Sequence, residues 1–442
     1  MKKLFLTAAL LCVCVPSFAQ DMDMGSMLKT GILRLAHMNS VVLPDLPMTR
    51  DGSGTSWLPD ATPMYAIMWG NYNWGYMAHG ELTARYTDQD VARTGHRGAD
   101  KFDGPNWFMF SANHPFALHK QITLRGMWSL DPLTEGKSGY PLLFQTGESV
   151  DGHPLIDRQH PHDLFSELSV IYGHALNRNT GYFVYVGYPG EPALGPPAFM
   201  HRPSAQHMID APLGHHWQDA THITFGVGTV GFRYRTFKLD GSIFTGREPN
   251  EIRADFDKPR FDSYSARLSC NPTERWALQV SGGYLKSPEE LEPDINQYRA
   301  TASAIYAVSF QDVNSFTVSA VWGMNKIANP AAAASLDNTT PQHSALLESD
   351  LRLASYAIFG RSEWVEKSAH ELGLPQFPGQ KFGVGALTLG LARDIFHGSD
   401  LTFMAGAQGG IFSVPDDLRP VYGQAPYSVE LFLRLSPRLM MM

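Results

Sequence analysis

The sequence predicts an all-β fold, a transmembrane antiparallel β-barrel of about sixteen strands with short turns at one end and long loops at the other. Three observations predict it. Period-2 segments, apolar on one side and polar on the other, recur from about Tyr72 to Arg434. Short turns alternate with long Pro- and Gly-containing links between them. The apolar side of several segments also begins and ends with an aromatic residue.

The chain opens on Met1-Lys2-Lys3, an apolar run from Leu4 to Val15, then Pro16-Ser17-Phe18-Ala19. That pattern predicts a signal peptide over 1–19, cleaved near Gln20. It is followed by a periplasmic Met-containing tail over 20–63 and an outer-membrane barrel over 64–442. Cys12 and Cys14 fall in the leader, so Cys270 alone remains and no intramolecular disulfide is expected. Beyond the leader no apolar stretch approaches the roughly 18 residues of a helical span. The composition, 12% aromatic and only 18% charged with 40 glycines, suits an exported β protein. The net charge of −8 comes without any Lys/Arg run, which argues against a nucleic-acid partner.

Short turns are expected at 117–120, 177–180, 235–237, 271–274, 310–312, 354–356 and 396–399, where Asn, Asp, Gly and Pro cluster at several of the reversals. Long links are expected near 88–105, 131–163, 189–221, 247–259, 287–295, 326–344, 367–381 and 413–426. Such segregation of turn lengths has no purpose in a soluble sandwich; it is the asymmetry of outer-membrane barrels. In 275–286, Trp276, Leu278, Val280, Gly282 and Tyr284 share one face, against Ala277, Gln279, Ser281 and Gly283. Eight residues of tilted strand rise about 20 Å, close to the height of a lipid-facing band with aromatic girdles.

The opposite faces carry ionisable residues in mid-strand: Glu81, Arg85, Arg125, Glu167, Arg267, Arg299, Glu348, Asp350, Arg352, Arg361, Glu363, Glu430 and Arg434. In a dry core they would be prohibitive to desolvate, so a watered interior is expected, with these groups lining the pore or bracing the wall. Sixteen strands leave an aqueous channel unless loops fill it, and the links at 131–163 and 189–221 are long enough to fold inward.

Histidine concentrates in those two links. The first holds His160-Pro161-His162-Asp163; the second holds His201, His207, His215-His216, Asp219 and His222. Pro161 favours an extended backbone at His160, so His160 and His162 project the same way and could share a zinc or copper ion with Asp163, His215 and His216. The alternative is a cross-brace in which these histidines and Arg158 or Arg202 bond to Asp157, Asp163 or Asp210. In the predicted tail, Met22, Met24 and Met27 interleave with Asp21 and Asp23 ahead of His37 and Met38. Soft thioethers so spaced select monovalent copper.

The segment Asp21-Met22-Asp23-Met24-Gly25-Ser26-Met27 ahead of a barrel resembles the copper-resistance outer-membrane proteins, which implies a role in copper handling. The segments 157–163 and 195–202 resemble stretches of bacterial porin-like barrel proteins, which implies the fold and no activity. A barrel of this kind is expected to sit in outer-membrane lipid and to pass small hydrophilic solutes, and analogy with porins of this size suggests a homo-oligomer. The chain departs from that pattern at its end, where Ser436-Pro437-Arg438-Leu439 and three methionines follow the last strand in place of a terminal Phe or Trp.

The function expected is therefore a porin-like channel rather than an enzyme, with a link to metal. Two alternatives stand beside it. One is a lipid-acting outer-membrane enzyme, for which Ser204, near His201 and His207, could be drawn into a triad although nothing selects it above chance and no Gly-x-Ser-x-Gly occurs in a strand-to-helix context. The other is a binding or adhesion barrel plugged by its own loops.

Overall fold

The computed structural model describes residues 39–440 apart from Asp312, Leu336, Asp337 and Thr339. The expected leader, and Met22, Met24, Met27, His37 and Met38, lie outside the described residues. Among those described, sixteen strands close into one antiparallel barrel. They are β1 (Gly75–Gln89), β2 (Asn106–Ala117), β3 (Lys120–Trp128), β4 (Phe165–Asn177), β5 (Thr180–Gly187), β6 (Val227–Tyr234), β7 (Phe237–Phe244) and β8 (Ser263–Thr273). The second half comprises β9 (Trp276–Lys286), β10 (Asn296–Phe310), β11 (Asn314–Ile327), β12 (Gln342–Leu353), β13 (Tyr356–Ser368), β14 (Lys381–His397), β15 (Leu401–Ser413) and β16 (Tyr427–Pro437).

Each strand pairs with its sequence neighbours, and the ring closes where β16 meets β1, from Leu82 opposite Leu435 to Gln89 opposite Ser428. All of the expected short turns occur, with His119, Arg235, Gln311 and Ala354 in the left-handed region that tight reversals use. At the β4–β5 turn the Asn177 side chain accepts the Asn179 amide, the local bond that makes Asn a turn residue.

The outer face is apolar. Leu278, Val280, Leu389, Leu431 and Leu433 point away from the barrel and are exposed. At the loop end, Tyr264, Tyr284 and Tyr298 form a row with ring centroids 5.5 and 5.7 Å apart. At the turn end, Trp276 and Tyr306 pair at 5.0 Å. These are the two girdles expected of a lipid-facing belt.

The inside is filled with the protein's own chain. Residues 39–63, expected in a periplasmic tail, lie within the turn-side half of the barrel. Val41, Val42, Leu43, Leu46 and Trp57 belong to one apolar cluster with Ile171, Phe183, Tyr185, Val227, Phe244 and Leu285 of the inner wall and Leu194. The cause lies in the strands: β5 alternates Tyr182, Val184 and Val186 outward with Phe183 and Tyr185 inward, so it is apolar on both faces. A strand with lipid on one side and apolar residues on the other needs protein there, not water. Backbone contacts fix the register: Arg125 bonds the Gly54 carbonyl at 2.6 Å, Lys238 bonds the Thr55 carbonyl, and the Ala61 amide bonds Glu274 O in the β8–β9 turn at 2.9 Å.

Two long loops occupy much of the rest, leaving a cavity of about 350 Å³ beside His216 and Glu289. The β5–β6 loop, 188–226, runs through the lumen in short helical turns. The β3–β4 loop, 129–164, folds a separate hairpin, Tyr140–Val150 with His153–Gln159, over the loop end. There Tyr140, Leu143 and Phe144 cluster with Leu213, Trp217, Leu372, Phe412 and Tyr422.

A cation placed on the outer belt tests this orientation. Val280→Arg is expected to cost about 2–4 kcal/mol of folding free energy in liposomes, while Glu274→Arg in the adjoining turn costs about 0–1 kcal/mol. Urea titrations of the refolded proteins measure both.

Candidate metal centre in the lumen

The two histidine-bearing loops meet inside the barrel. His160, at the end of the hairpin, is held extended before Pro161, while His215 and His216 sit on the single helical turn His215–Gln218 that follows Pro212-Leu213-Gly214. His160, His215 and His216 offer ligand nitrogens that all lie within 4.8 Å of one another, and all three residues are buried. His162 and His222 flank them: the His162 ring lies 5.5 Å from His222, which lies 5.2 Å from His215. His216 also stands 3.5 Å from Glu248 and 3.8 Å from Glu289, and these three form a second convergent group. Gly147 makes room for the His216 ring; with φ at +122°, any Cβ there would fall 2.3 Å from the imidazole.

The hydrogen bonds set the tautomers. His160 Nδ1 donates to the Pro161 carbonyl at 3.4 Å, with Glu148 3.1 Å away, His162 Nδ1 lies 2.7 Å from Asp131, and His215 Nδ1 2.7 Å from Asp219. His222 Nδ1 donates to the Asp219 carbonyl at 2.9 Å. An imidazole that donates from Nδ1 carries its lone pair on Nε2. The Nε2 atoms of His160, His162, His215, His216 and His222 are buried without a hydrogen-bond partner. Burial drives His160 and His215 below their ordinary range and His222 to about 3, so these rings are neutral, as metal ligands must be. For His216 burial is outweighed by Glu248, whose carboxylate holds the ring above its ordinary value.

The expected ligand set is thus partly rearranged. His160, His215 and His216 converge, whereas His162 turns to Asp131 and Asp163 faces Arg253 at 3.6 Å, so the expected pairing of His160 and His162 with Asp163 on one ion is not the one assembled. Glu248 and Glu289 were not legible as site residues. They come from the β7–β8 and β9–β10 loops, and no spacing along the chain ties them to the histidines.

The mid-strand charges all lie on the inner side of the wall, but they face protein rather than open water: Arg85 and Glu348 are 0% exposed and Arg434 is 1%. Arg85 pairs with Asp103 and Asp210, Arg125 with Glu167, Arg267 with Asp240, Arg352 with Asp394, and Arg434 with Glu81. Arg299 bonds Asn325, Glu363 accepts the Leu213 amide, and Glu430 accepts the Thr87 hydroxyl. The central clamp is Arg202–Glu348–Arg361, at 2.6 and 3.0 Å, with Arg202 also 2.6 Å from Asp219. It ties the loop that carries His215 to β12 and β13. Ser204 bonds Ser319 and Glu348, and His207 bonds Asp350, so the nucleophile and histidine that an enzyme reading would join have other partners.

No family model matches the chain, and no curated protein matches it. Solved structures do resemble its fold. OmpF of Salmonella typhi, in complex with daunomycin, aligns over 83% of this chain and 100% of its own at a TM-score of 0.51 and 8% identity. An anion-selective porin from Comamonas acidovorans aligns over 82% of this chain and 99% of its own at 0.48 and 8%. The likeness is in the wall. With its closed sixteen-stranded sheet and apolar belt, the chain is a porin-like β-barrel of the bacterial outer membrane.

Removing one partner of the clamp leaves the other charges buried and unpaired. Glu348→Ala is expected to cost about 3–5 kcal/mol. Arg93→Ala, which breaks exposed pairs with Asp88 and Asp100, is expected to cost about 0–1 kcal/mol. Urea unfolding of the refolded barrels distinguishes the two.

Proposed function

We propose that the protein is an outer-membrane channel for small hydrophilic solutes, gated by the chain in its own lumen, and that the solute it captures is a late first-row transition-metal ion, zinc or copper(II). The observation that carries this is the convergence of His160, His215 and His216, whose ligand nitrogens lie within 4.8 Å of one another in a buried space and whose Nε2 atoms have no hydrogen-bond partner, with carboxylates of Glu148 and Asp219 beside His160 and His215. Burying the acceptor nitrogens of His160 and His215 without a donor is costly, and an ion satisfies them together. Imidazole with carboxylate suits these metals, and Glu248 and Glu289 offset their charge.

The luminal position supports transit rather than storage. An ion bound between the loop-end hairpin and the 188–226 loop sits on the barrel axis side of the wall. Segment 39–63 then closes the turn-side half beneath it, so passage requires that segment to move. Its mixture of apolar anchors and main-chain bonds to Arg125 and Lys238 holds it against the inner wall by non-covalent contacts.

Titration of refolded protein with zinc or copper(II) tests the capture site. One ion per chain is expected, with affinity reduced by at least about 100-fold in a His160→Ala, His215→Ala double variant, beyond the 10–100-fold typical of changes in outer-shell partners. Unchanged affinity would overturn the reading. Planar bilayers test the gate: closed wild-type barrels and discrete opening steps in Trp57→Ala are expected, whereas a steadily open wild type would show that segment 39–63 does not close the lumen.

A further inference from the structure

The structure holds a second constellation of metal-binding side chains, chemically unlike the first and sharing no residue with it. In the turn-side half of the lumen, a cavity of about 100 Å³ is lined by Met77 and His79 of β1, Trp107 and Met109 of β2, Met200 and His201 of the 188–226 loop, Met48 of the inserted segment and Met64 just after it. His79 Nε2 lies 2.9 Å from the Met109 sulfur. The His201 ring lies 5.7 Å from His79 and 4.7 Å from Trp107, and Trp107 stands edge-on to His79 at 5.1 Å. His201 Nε2 is shielded and has no partner.

Methionine fills irregular gaps in many cores, and Met127 packs on Trp107 and Met109 in that way. Gap filling does not account for two imidazoles aimed into the same thioether-lined space. An imidazole nitrogen against a thioether gains little as a hydrogen bond, because the sulfur is a weak acceptor. Both groups are good donors to a soft ion.

We infer that His79, Met109 and His201, with Met200 in reach and Trp107 alongside, form a binding site for a soft monovalent cation such as Ag(I) or Cu(I). Thioether and imidazole donors without a free carboxylate select a soft, low-charge ion over zinc. The charged groups bordering the cavity are already engaged: Arg125 pairs with Glu167, Glu81 with Arg434, and Asp51 accepts from Ser40 and the Val41 amide. The ligands come from the wall and the loop, and Met48 of the inserted segment closes the cavity with Met64 just after it, so occupancy of the site bears on the closure of the turn-side half.

The test is a competition titration of Ag(I) into the refolded full-length chain carrying Cys270→Ser, with X-ray absorption of the bound silver, and a parallel titration with zinc. One Ag(I) with both sulfur and nitrogen neighbours is expected. Met109→Leu, which conserves volume, and His201→Gln should each weaken Ag(I) by at least about 10-fold, and His79→Met should retain it. Zinc affinity should stay unchanged in all three, which separates this site from that of His160 and His215. Ag(I) binding that survives Met109→Leu and His201→Gln, or that is lost only when Met22, Met24 and Met27 are changed to Leu, overturns the assignment.

Discussion

In hydrocarbon a strand must give every backbone amide and carbonyl a partner on a neighbouring strand, and a sheet meets that demand only by closing. Here the circuit is completed where β16 meets β1 between Leu82–Leu435 and Gln89–Ser428. Closure fixes the ring, and the ring fixes an interior that inward side chains of sixteen strands cannot fill alone. What occupies that interior then decides how the inner charges are solvated.

In this chain the occupant is polypeptide. Segment 39–63 and the 188–226 loop replace water around much of the inner wall, and most mid-strand arginines and carboxylates are paired, the others hydrogen-bonded, because hydration is no longer open to them. The same exclusion of water gives the histidine cluster its character. Imidazoles held neutral by burial, with carboxylates at their Nδ1 atoms, present lone pairs that no protein donor meets. The Arg202–Glu348–Arg361 clamp and the His215–Asp219 bond meet through Asp219, so the wall and the site are mechanically one network.

The wall was legible because both of its signals are local. Period-2 alternation and turn residues act over a few positions, so strands such as 276–286 and turns such as 177–180 can be read from the chain directly. The contents of the lumen were not, because they depend on contacts between distant segments. Residues 51–56, Asp-Gly-Ser-Gly-Thr-Ser, read as a solvated tail; only the inward Phe183, Tyr185, Ile171 and Phe244 signal that something apolar covers them. His160, His215 and His216 stood out by local density, whereas Glu248, Glu289 and Asp131 join them only through the fold. The two-residue spacing of His160 and His162 predicted a shared ion, but Asp131 draws His162 aside.

The account rests on a lumen filled by the chain. Water-soluble thiol reagents report this directly on Thr123→Cys and Ser319→Cys, two inner-wall positions that are 0% exposed, in a Cys270→Ser background with Ser399→Cys as the exposed reference. Labelling at the two inner positions is expected to be slower than at Ser399→Cys by orders of magnitude, limited by opening of the lumen. Labelling of both at the rate of the exposed reference would mean that water, not protein, faces the inner wall.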